Sequence, residues 1–158
     1  MSTLTLEDFL QSKHKEGDEA KRRQEEWDKR KNKWIAEVES LYMQIQEWLE
    51  PLNETASIRF DIGTHPANEE NIGSYNIQHM TIHLANERVE LTPRGTNIIG
   101  GYGRIDMYGK NGQKMLVIPK WGEWAFYRLD TTNPSMPKQF YDPLNEGSFK
   151  EALLDLIS

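Results

Sequence analysis

Trp34-Ile35-Ala36-Glu37-Val38-Glu39-Ser40-Leu41-Tyr42-Met43-Gln44-Ile45-Gln46-Glu47-Trp48, residues 34–48, is the stretch whose reading decides the fold. Trp27, Trp34, Leu41 and Trp48 recur every seven residues, and Val38, Ile45 and Leu52 fill the interleaved positions. On a helix these side chains form one apolar stripe. The surrounding positions are densely charged, so the stripe must dock on something: the chain's own sheet or another copy. Packing within the chain is the plainer reading for Trp34, Leu41, Ile45 and Trp48. Trp27 has polar neighbours, and for it both readings stand. Tryptophans are also enriched at binding hot spots, which makes Trp27, Trp34 and Leu41 interface candidates.

Towards the N-terminus, Thr5 followed by Asp8 resembles a capping box. Leu6, Phe9 and Leu10 give a short apolar face there. Gly17 is expected to break the helix, with Asp18 capping a second one. From Glu19 to about Glu50 nothing interrupts, a length of about 48 Å. Gln24 and Lys31 occupy positions where the stripe needs apolar groups. Residues 18–33 are therefore expected to project, while 34–52 pack on the body. Pro51 and Asn53 end the helix.

Beyond Asn53 the apolar period falls to two, the strand period. Ile58, Phe60 and Ile62 mark one strand, Met80, Ile82 and Leu84 a second, and Val89 and Leu91 a third. Residues 63–73, rich in Gly, Pro and Asn, read as a loop. Ile98 to Tyr108 reads as a fourth strand, Met115 to Ile118 as a fifth and Trp124 to Leu129 as a sixth. Asn111-Gly112 is a type I′ hairpin signal. Pro134, Pro137 and Pro143 mark a long loop, and Ser148 with Glu151 a capping box for a last helix. The prediction is one α+β domain over residues 1–158: a long helix that breaks near Gly17, an antiparallel meander of about six strands, and a short C-terminal helix.

Composition narrows the function classes. The chain has 158 residues, 37% apolar and 28% charged, with net charge −6 and no cysteine. Disulfides, thiolate zinc sites and cysteine nucleophiles are thereby excluded. No apolar run reaches the roughly 18 residues of a membrane span, and the first residues lack signal-peptide character, so a cytoplasmic setting without membrane contact is expected. Residues 11–33 carry nine Lys/Arg against six Asp/Glu, a local +3 that leaves −9 on the rest. An acidic body argues against nucleic acid as a partner. The run Lys29-Arg30-Lys31-Asn32-Lys33 reads as a solvated helix face, with Glu25–Lys29 and Glu26–Arg30 in the favourable i,i+4 order.

No motif assigns a reaction, and no cofactor or metal is implied. The stretch Arg94 to Arg104 is glycine-rich but lacks the Lys and Ser/Thr of a Walker loop, and it leads into a strand. His79 and His83 on one strand lie roughly 13 Å apart, too far to share a zinc ion. Arg-x-Asp recurs at Arg59/Asp61, Arg104/Asp106 and Arg128/Asp130, which on strands reads as a polar ladder. Its functional version is the sheet-face site of a ligand-binding protein or an enzyme, taking a small polar or anionic ligand and lined by Arg94, Tyr102, Arg104, Asp106, Trp121 and Tyr127. Glu123, between Trp121 and Trp124, is the one carboxylate with aromatic flanks; an exposed turn is its plainer reading.

The Trp-rich charged helix, Glu26-Trp27-Asp28 through Trp48-Leu49, occurs together with Pro93-Arg94-Gly95-Thr96-Asn97-Ile98-Ile99-Gly100 and Gly103-Arg104-Ile105-Asp106. In this combination the chain resembles a family of uncharacterised bacterial proteins. The resemblance implies a bacterial cytoplasmic setting and carries no catalytic residue. The leading expectation is a non-enzymatic interaction module, self-associating as a homodimer or binding a protein partner through its N-terminal helix.

Overall fold

The computed structural model describes residues 4–96 and 101–158. Helix α1 runs unbroken over Leu6–Leu49, capped by the Thr5 hydroxyl, which accepts from the Asp8 amide. Gly17 does not interrupt it. A single helical glycine costs only about 1 kcal/mol relative to alanine, and regular backbone hydrogen bonding continues on both sides. Lys13–Glu16 and His14–Asp18 ion pairs cover this turn. A short 3-10 turn over Glu50–Glu54, started by Pro51, ends the run.

Among the described residues seven strands follow: β1 (Ile58–Glu69), β2 (Gly73–Leu84), β3 (Glu87–Gly95), β4 (Arg104–Gly109), β5 (Gly112–Lys120), β6 (Glu123–Asp130) and β7 (Lys138–Pro143). Helix α2 (Glu146–Ile157) closes the chain. The strands pair antiparallel in sequence order, so the α+β meander is as expected, with one more strand. Strand β7 falls where prolines suggested a loop. It is an edge strand with Pro143 at its end, a place where the missing N–H is tolerated. Residues 63–69 continue β1, for the same reason: Pro66 also lies on an edge. The reversal comes at Asn71, which takes φ 70°. The expected start of the fourth strand, Ile98, lies outside the described residues.

Two local signals are displaced by tertiary packing. The β4–β5 turn centres on Lys110-Asn111, with Gly109 opposite Gly112, not on Asn111-Gly112. Asn111 is held by α2: its amide donates to the Leu156 carbonyl and its side chain to the Asp155 carbonyl. The α2 cap is Asn145, in a reciprocal box with Ser148. That is one turn earlier than the Ser148/Glu151 pairing.

Strand β4 shows which face is which. Gly103, Ile105, Met107 and Gly109 alternate to one side. Gly103 lies against Trp34 of α1 and Gly109 against Leu156 of α2. Both helices therefore cover the same sheet face, and they touch through Trp48 and Phe149. Beneath them one core joins Val38, Ile45, Met80, Ile82, Leu91 and Leu116 with their neighbours. Arg104, Asp106 and Tyr108 point to the uncovered face.

Candidate functional site

The stripe on α1 divides at Trp27. From Leu6 to Glu26 every residue is exposed except the half-buried Glu19. This segment carries Leu6, Phe9 and Leu10 at 68%, 44% and 56% exposure, one above the other at i, i+3 and i+4. Between Gln11 and Glu26 only Ala20 is apolar apart from Gly17, so the segment is an apolar tip on a charged stalk.

Trp27 is half-buried and marks where the helix lands. Arg30 lies between the Trp27 and Tyr102 rings, and its guanidinium donates to the Thr96 carbonyl. Tyr102 stacks on Trp121 at 4.7 Å between centroids, with the Lys33 ammonium over Trp121. Glu37 accepts from the Gly122 amide, in the tight turn between β5 and β6. Glu69, at the far end of β1, accepts from Thr96 and from the Tyr75 hydroxyl. Burial and that carboxylate push the Tyr75 hydroxyl pKa well up. This junction fixes the direction in which the stalk leaves the body.

Trp34 and Leu41 are fully buried against the chain's own sheet. They are removed as interface candidates, because the surface they would offer a partner is already covered. Tyr102 and Trp121 are likewise engaged at the α1 junction, and Tyr127 pairs edge-on with Tyr141.

Of the six residues expected to line a sheet-face site, Arg94, Arg104 and Asp106 meet directly. Asp106 is 1% exposed. Arg104 Nε donates to its Oδ1 at 2.8 Å and Arg94 Nε to its Oδ2 at 2.9 Å. Tyr108, from the same strand as Arg104 and Asp106, bonds both Arg94 and Asp106. Burial pushes the Asp106 carboxyl up, but the two guanidiniums outweigh it and hold the pKa below the usual range. The Tyr108 and Asp106 hydrogen bonds raise Arg94 further. Two guanidiniums on one carboxylate leave one positive charge in surplus, with Arg94 about half exposed.

The other Arg-x-Asp pairs diverge. Arg59 reaches Asp61 at 3.6 Å, whereas Arg128 pairs across strands with Asp142. His83 bonds Asp61 at 2.7 Å. His79 stacks on His65 at 3.9 Å between centroids, and burial followed by the His65 charge lowers its pKa.

The residue pattern gave no hint of a groove of about 820 Å³ between α2 and strands β5–β6, with Asp142 of β7 at its rim. Phe126 and Ala152 line the groove, together with Lys114, Arg128, Asp142, Glu151 and Asp155. No local period could reveal it, since its β5 and β6 walls stand about 20–40 positions before α2 in the chain.

Comparison with family models, with curated proteins and with solved structures yields no match for this chain. Among the described residues, no helix is long and apolar enough to cross a membrane. Among them, too, no group of three or more His, Asp or Glu is placed to hold a metal ion.

Proposed function

We propose that this chain is a non-enzymatic interaction module, cytoplasmic, that self-associates through the N-terminal part of α1. The observation that carries this reading is the exposed trio Leu6, Phe9 and Leu10 at the end of a continuous helix. Burying such a side chain is worth about 1.5–3 kcal/mol, and three on one face form an anchor set of the helix-in-groove kind. The interface thus moves from the heptad residues, which the body uses, to the apolar tip. Native mass spectrometry of the full chain tests it. A dimer is expected, and Phe9→Asp is expected to give a folded monomer whose melting temperature no longer depends on concentration. A monomeric wild-type chain at all concentrations overturns the reading.

A second reading rests on the surplus charge at Arg94, Arg104 and Asp106. It makes the uncovered sheet face a site for a small anion, bound by the guanidinium edges that Asp106 leaves free. Titration calorimetry with inorganic phosphate and with citrate tests it. Saturable heat that Arg104→Ala abolishes in a folded chain supports this reading; no heat with either anion sinks it.

A further inference from the structure

We infer that the apolar tip of α1 docks into the groove between α2 and strands β5–β6 of a second copy, each copy filling the other's groove. This rests on the self-association reading above and names the surface that receives the tip.

Three other destinations for the tip are excluded by geometry. Folding back onto its own body would require α1 to break, and the helix is continuous from Leu6 to Leu49. Pairing stalk to stalk would need an apolar seam, and residues 11–26 offer only Ala20. Docking on the main core is impossible because α1 and α2 already cover it. The groove stands open to solvent along one flank of α2.

Its chemistry matches the tip. Leu6, Phe9 and Leu10 meet an apolar base made by Phe126, Ala152 and the alkyl stems of Lys114 and Arg128. The tip is also charged: Glu7 and Asp8 precede Lys13 and Lys15. At the groove rim Lys114 pairs with Asp155 and Arg128 with Asp142, and Glu151 stands beside them. The stalk carries the chain's basic excess and the body its acidic excess, so a second copy attracts the stalk.

Reach fits as well. Phe9 lies 18 residues from Trp27, about 27 Å along the helix. A body of this size has a radius of gyration of about 14 Å, so the stalk is long enough to reach past the centre of a neighbour. Reciprocal exchange closes a twofold dimer and leaves no free tip.

The cysteine-free chain permits a direct test. Leu10→Cys, Glu151→Cys and Leu154→Cys are made singly, each confirmed folded and in the wild-type oligomeric state by native mass spectrometry, mixed in pairs and treated with a short bismaleimide. Leu154 is exposed on the flank of α2 away from the groove and serves as the control. A covalent Leu10–Glu151 heterodimer, at least tenfold in excess of the Leu10–Leu154 product, is expected. Equal products, or Leu10–Leu10 dimers alone, overturn the groove as acceptor. A wild-type dimer that Phe9→Asp dissolves, without a Leu10–Glu151 product, also overturns it while leaving the interaction reading standing. A wild-type monomer overturns both.

Discussion

The indole of Trp34 packs directly on Gly103: a Cβ built on Gly103 would stand 2.2 Å from Trp34 Cζ3. This contact joins the long helix to the first residues of the β4 region and explains how α1 approaches the sheet so closely. Glycine is required here for space and not for any left-handed backbone.

Gly103→Ala is therefore expected to destabilise the chain by about 1–3 kcal/mol through overpacking. Trp34→Ala should cost about 3–5 kcal/mol by leaving a cavity. The pair Gly103→Ala with Trp34→Phe should cost less than the sum of the singles, because the smaller ring makes room for the methyl. Urea denaturation of the four chains measures it. Strict additivity would deny the contact its importance.

Asp106→Asn removes the charge that two guanidiniums share. A fully buried pair broken in this way costs about 3–5 kcal/mol; both arginines are part-solvated, so about 2–3 kcal/mol is expected at neutral pH. The sign with pH follows from the depressed pKa. The native carboxyl binds its proton more weakly than the unfolded one. The contribution is complete above the unfolded value of about 3.9 and is lost as pH falls from there through the native value. Urea midpoints between pH 6 and pH 2.5 should fall more steeply for wild type than for Asp106→Asn.

His79 acts in a separate window. Its pKa is lowered by burial and by His65, with Glu90 opposing. Below about pH 6.5 the unfolded histidine takes up a proton that the native one resists. Stability is thus complete above that pH and declines as the medium is acidified towards the native value. His79→Gln should flatten the profile between pH 7 and pH 5. An unchanged slope would show that the stacked pair does not couple to folding.

Gly17→Ala should lengthen the life of the stalk without touching the body. A Cβ at Gly17 meets nothing within 4 Å, and replacing a helical glycine gains about 0.5–1 kcal/mol. Slower amide exchange over residues 6–26, with little change in the body's exchange, is the expected result. Equal protection in both chains would mean that this glycine does not limit the stalk.

Much of the architecture was legible because it is written in local periods. The step from a heptad stripe to alternating residues after Asn53 separates helix from sheet. The Thr5 cap and the meander follow from neighbours in the chain. The displaced features all involve partners far away in sequence. Asn111 is claimed by the end of α2, which shifts the hairpin turn by one residue. Pro66 and Pro143 are tolerated in strands only because β1 and β7 are edges.

The candidate site divides along the same line. Arg94, Arg104 and Asp106 could be grouped from the glycine-rich stretch and its neighbouring strand. Tyr102 and Trp121 could not be assigned to the α1 junction, because what holds them is Arg30 and Lys33 from a helix some 70–90 positions earlier.

The amino-acid sequence by itself determined the α+β order, the apolar stripe and the charged stalk, since periodicity and composition are local properties of the chain. Only the tertiary structure decided that Trp34 and Leu41 are spent on the chain's own core, that Leu6, Phe9 and Leu10 are left uncovered, and that a groove stands open beside α2. Burial is a sum over neighbours brought together by folding. A sequence states which side chains need cover, and the packed molecule states which of them have it.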